Sequence, residues 1–92
     1  MNFQKIEKEE IIYLHFQQND VLLSNESKID RERKLNNAAT LGNINKQKCK
    51  IIFKATEGVN YVETTIWAVT DKYICLKGGI TLLIASVFDV VI

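Results

Sequence analysis

The sequence predicts a mainly β, α+β domain in which one helix precedes a five-stranded small barrel. Three observations carry this. Short runs over 48–55, 61–69, 73–77, 80–85 and 88–92 are rich in β-branched and aromatic residues, and several alternate apolar with polar. Turn chemistry separates them: Glu57-Gly58-Val59-Asn60, Thr70-Asp71-Lys72, Lys77-Gly78-Gly79 and Ser86-Val87. Helix-start residues before position 28 and a glycine at position 42 bracket one helix. Five strands this short hide their edges by closing up, which is why a barrel is expected over an open sheet.

Residues 1–24 form an N-terminal extension. Phe3, Ile6, Tyr13 and Leu14 fit a helical face in part, while Ile12, Leu14 and Phe16 alternate as a strand would. We take 3–16 as helix, Gln17-Gln18-Asn19-Asp20 as loop, and Val21-Leu22-Leu23 as an apolar patch that docks on the barrel. The helix-plus-barrel domain is 25–92. Ser27 is the expected N-cap, with Asp30 completing a capping box in outline. The helix runs over 28–41, with Leu35, Ala38, Ala39 and Leu41 inside and Gly42 just past its end.

In the first strand Cys49, Ile51, Phe53 and Ala55 alternate with Lys48, Lys50, Ile52 and Lys54, giving an apolar inner and a basic outer face. Gly58 and Asn60 supply a hairpin to the second strand, which carries large apolar groups on both faces and is expected to bend. Gly78-Gly79 reverses the chain between strands three and four, and 85–87 suits one 3₁₀ turn before the last strand. The expected core is Ile51, Phe53, Ile66, Ile74, Leu76, Leu82, Ile84 and Val90.

Composition narrows function. Hydrophobic content of 47% with 25% charged argues against wholesale disorder. Twelve basic and eleven acidic residues give a net charge of +1, so no overall field recruits polyanions. The apolar run over 80–88 is too short to span a bilayer, and charges stand where a signal peptide needs its apolar stretch. A cytoplasmic, membrane-free protein is expected, with Cys49 and Cys75 as buried free thiols.

His15 is the single histidine, and no serine or cysteine can be tied to it by sequence. Two cysteines and one distant histidine do not make a metal shell. Asp71 and Glu57 read as turn residues, and Gly78-Gly79 lacks the following helix that a phosphate loop needs. Neither catalysis nor a cofactor is expected. Binding has better support: Lys48, Lys50 and Lys54, preceded by Lys46, form a strip that could track phosphates, with Trp67 or Tyr61 stacking a base beside it. Phe88, Val91 and Ile92 offer an apolar strand edge for a second copy.

The segment Thr70-Asp71-Lys72-Tyr73-Ile74-Cys75-Leu76-Lys77 resembles the third strand of bacterial Hfq, and 84–92 resembles its last strand pair. The layout is that of Sm-like and SH3-like small barrels. The Tyr-Lys-His segment of Hfq corresponds here to Leu83-Ile84-Ala85-Ser86, which has nothing to stack on or pair with a base, and the Asn of the eukaryotic Sm motif does not follow strand three. No RNA-binding residue carries over. The runs 62–70 and 76–81 are more closely similar to a group of short, uncharacterised bacterial proteins. Those proteins generally continue with a proline and a histidine near positions 83 and 85, where this chain has Leu83 and Ala85. The resemblance implies a barrel and no activity. The expected function is a non-catalytic binding or regulatory module that self-associates through strand edges, or alternatively an RNA or single-stranded nucleic-acid binder.

Overall fold

The helix starts at a serine hydroxyl. Ser24 Oγ accepts the Ser27 N–H at 3.1 Å, so Ser24, not Ser27, caps α1 (Asn25–Asn45). The structure, a computed structural model, describes residues 3–92. Along α1 the buried positions are Arg31, Leu35, Ala38 and Gly42, a helical spacing that lays one stripe on the core. Gly42 therefore lies inside the helix. The left-handed residue at its end is Lys46, with φ 54°, whose N–H returns to the Gly42 carbonyl.

Ahead of the helix, residues 3–16 are not helical throughout. They form a two-residue strand, β1 (Gln4–Lys5), and a 3₁₀ helix over Lys8–Tyr13, and they place Ile6 and Ile11 in the core. After α1 come β2 (Cys49–Ala55), β3 (Gly58–Thr64), β4 (Ile66–Val69), β5 (Tyr73–Leu76), β6 (Thr81–Leu83), a 3₁₀ turn at Ile84–Ser86, and β7 (Val87–Val91).

The expected barrel is not what these strands build. They form a four-stranded sheet of order β1-β3-β2-β7, with β1 parallel to β3, and a separate three-stranded sheet of order β4-β5-β6. The run over 61–69 breaks at Thr65: Thr64 still pairs with Cys49, whereas Ile66 already pairs with Leu76. The Thr65 carbonyl is taken by the Lys77 N–H at 3.0 Å. Neither sheet closes among the described residues, and α1 is hydrogen-bonded to one edge strand of each. Asn43 Nδ2 donates to the Trp67 carbonyl on β4 (3.2 Å), and Arg31 Nη1 donates to the Val87 carbonyl on β7 (3.0 Å). The result is an α+β fold of one α-helix and two open sheets among the described residues.

The core lies between the sheets and under α1. Ile51, Phe53, Val62, Ile66, Ile74, Leu76, Leu82 and Val87 are essentially inaccessible, and Val90 is buried with them. The strand parity read from the alternation holds, although Ile84 is half-buried and packs against this cluster from its margin. The β2–β3 hairpin turns at Thr56-Glu57, since Ala55 already pairs with Gly58; Asn60 is a buried strand residue opposite Phe53. Gly78 and Gly79 make the β5–β6 reversal at φ 87° and 82°, a conformation that L side chains avoid.

Candidate functional site

Alternation along β2 turns Lys50, Ile52 and Lys54 outward, as expected, and Lys48, just ahead of the strand, is exposed. The register places Lys50 opposite Glu63 and Val91, and Ile52 opposite Tyr61 and Asp89. From the far side of β3, β1 sets Lys5 opposite Tyr61. The Lys50 ammonium lies 4.4 Å from the centre of the Tyr61 ring, within cation–π range. A shallow depression of about 260 Å³ is lined by Lys48, Lys50, Glu63, Val91 and Ile92.

Trp67 is not part of this face. It sits on β4 in the other sheet, 47% exposed, beside the C-terminal end of α1. The aromatic brought to the lysines is Tyr61. Lys5 could not be found from the sequence, since a two-residue strand with both side chains exposed has no periodicity to read.

The β7 edge is largely engaged. Arg31 holds the Val87 carbonyl, and the Val90 N–H donates to Asp89 Oδ1 (2.9 Å), which also accepts from Lys34 at 2.8 Å. Hydrogen bonds to Asp89 and then Asp30 hold the Lys34 ammonium above its ordinary pKa. Phe88 is half-buried in a recess with Leu22, Arg31 and Lys34, whereas Val91 and Ile92 are exposed at 47% and 49%.

Edge β6 is different. Ile74 pairs with Leu82, the Leu76 N–H reaches the Ile80 carbonyl (2.7 Å), and the Ile84 N–H reaches the Lys72 carbonyl (2.9 Å). By antiparallel alternation, the Thr81 N–H and C=O and the Leu83 N–H therefore point away from β5. Beside them runs an apolar groove of about 430 Å³, lined by Ile11, Ile12, Leu14, Phe16, Tyr73 and Ile80 among others. Ile12 and Tyr73, both in this lining, are substantially exposed.

Two polar clusters fasten the N-terminal segment. Asp20 receives Arg31 as a fork, Nη1 to Oδ1 at 2.8 Å and Nη2 to Oδ2 at 2.6 Å, and Arg31 is only 6% exposed. The Arg31 hydrogen bonds hold the Asp20 carboxyl below its ordinary pKa against the opposing effect of burial. His15 Nδ1 stands 2.7 Å from Glu57 Oε2, and the His15 N–H donates to Oε1 at 3.2 Å. A carboxylate only accepts, so the Nδ1 proton is on the histidine. That ring contact first, and the His15 backbone bond second, push Glu57 down to about 2. In sequence Glu57 reads only as a turn residue, because its partner lies 42 positions away. The pair is exposed, and the neighbouring hydroxyl, Thr56 Oγ1, donates to Glu57 itself; nothing here poises a nucleophile.

Among the described residues no group of three or more His, Cys, Asp or Glu side chains is arranged to hold a metal ion. No helix among them is long and apolar enough to cross a membrane. Cys49 is buried and Cys75, expected to be buried, is half-buried; both are free. No protein-family model matches the chain, and neither the curated proteins nor the solved structures include a significant match.

Proposed function

We propose that this protein is a non-catalytic binding module that associates with a second copy of itself through a strand edge, β6. The observation that carries this reading is the open edge at Thr81 and Leu83 next to an apolar groove, while β4 and β7 are fastened to α1. Two β6 edges meeting antiparallel about a two-fold axis would exchange Thr81 N–H and C=O bonds. The three-stranded sheet would become a six-stranded one, and Ile12 and Tyr73 in the adjoining groove would be covered. Such an interface is self-complementary, the commonest arrangement in homo-oligomers.

The test is sedimentation velocity over a concentration series with the parent and Thr81→Pro. Proline removes the outward N–H without touching the β5–β6 ladder. A dimer that Thr81→Pro converts to a folded monomer supports the reading. A parent that stays monomeric at the highest concentration overturns it, as does a dimer indifferent to the substitution.

A further inference from the structure

Going beyond self-association, we propose that the outer face of the four-stranded sheet is a binding surface for single-stranded nucleic acid. Four lysines share it: Lys48 just ahead of β2, Lys50 and Lys54 on β2, and Lys5 carried in by β1. Lys5, Lys48 and Lys54 are exposed on it, and the core lies on the opposite side, where Cys49, Ile51, Phe53 and Ala55 point. Two carboxylates share it. Glu63 stands opposite Lys50, and Asp89 is paired with Lys34 from the helix. The face thus keeps a local excess of positive charge that the whole-chain net charge of +1 conceals.

Tyr61 decides the ligand class. It lies between Lys5 and Ile52 with its ring under the Lys50 ammonium. Arriving phosphates would draw Lys50 off the ring and free the π-face for a base, so both contacts typical of single-strand binding come from one residue pair. An anionic membrane surface would use the lysines and leave the ring idle. A duplex would offer phosphates but no unstacked base.

The experiment is fluorescence anisotropy with a short oligouridylate, titrated at several salt concentrations against the parent, Lys5→Gln, Lys48→Gln/Lys54→Gln and Tyr61→Leu, each checked for folding by circular dichroism. The slope of log affinity against log salt should weaken by about 0.7 per lysine removed. Lys5→Gln should behave like a β2 lysine, which only the β1–β3 pairing predicts. Tyr61→Leu should keep the salt slope and lose affinity by roughly tenfold. Absence of binding by the parent at low salt overturns the proposal. Equal binding by Tyr61→Leu, or binding to phosphatidylserine vesicles but not to the oligonucleotide, also overturns it, in favour of a purely electrostatic surface. Thr81→Pro should leave oligonucleotide binding intact, which separates this surface from the β6 edge.

Discussion

Gly42 lies directly against the carbonyl of Ile66: a Cβ on Gly42 would stand 2.5 Å from that oxygen and 3.0 Å from Thr65 Cγ2. The glycine thus sets how closely α1 approaches the point where the chain passes from one sheet to the other.

Replacing Gly42 with alanine should therefore destabilise the protein, although the same change at an exposed helical site gains about 1 kcal/mol. Forcing helix and strand apart should cost about 1–3 kcal/mol, an overpacking penalty against backbone that cannot rotate away. Urea denaturation followed by circular dichroism should show a lower midpoint for Gly42→Ala.

Asp20→Ala should be more damaging than its position in a loop suggests. It leaves the Arg31 guanidinium buried with only the Val87 carbonyl as partner, and Arg31 Nε already lacks one. Breaking a buried pair in this way costs about 3–5 kcal/mol. A denaturation midpoint equal to that of the parent would show that Arg31 finds water instead.

Acid should weaken the fold through Glu57. Its folded pKa, about 2, lies below the unfolded value of 4.5, so its stabilisation is complete above about 4.5 and disappears as pH falls toward 2. Asp20 and Asp30 are shifted in the same direction by their arginine partners. Thermal melts of the parent should fall across this window. Glu57→Gln should melt lower than the parent at neutral pH and converge with it toward pH 2.

The two thiols should separate chemically. Burial pushes Cys49 up to about 11, so little thiolate is present at mildly alkaline pH, whereas Cys75 is half-buried. Native alkylation followed by intact-mass analysis should give one adduct quickly, at Cys75, and the second only on unfolding.

What could be read from the residues follows from how local the signal is. The inner face of β2 was legible because alternation of Cys49, Ile51, Phe53 and Ala55 has one solution once one face is buried, and the same parity exposes Lys48, Lys50 and Lys54. The Gly78-Gly79 reversal is local for the same reason. Gly42 was misplaced because a glycine buried by close approach and a glycine ending a helix look alike in sequence. The break at Thr65 was hidden inside an unbroken β-forming run, and with it went both the barrel and the grouping of Trp67 with the lysines. Lys5 beside Tyr61 and His15 beside Glu57 rest on pairings across more than forty residues, which no local pattern encodes.

Arg31 joins segments 11 and 56 positions away, Asp20 on one side and Val87 on the other. During vectorial synthesis the N-terminal segment and α1 leave the ribosome long before β7 does. Until β7 arrives, β2 lacks one of its two neighbours and Arg31 lacks its carbonyl acceptor. Full enclosure of this guanidinium therefore waits on β7, and its burial marks completion of the sheet.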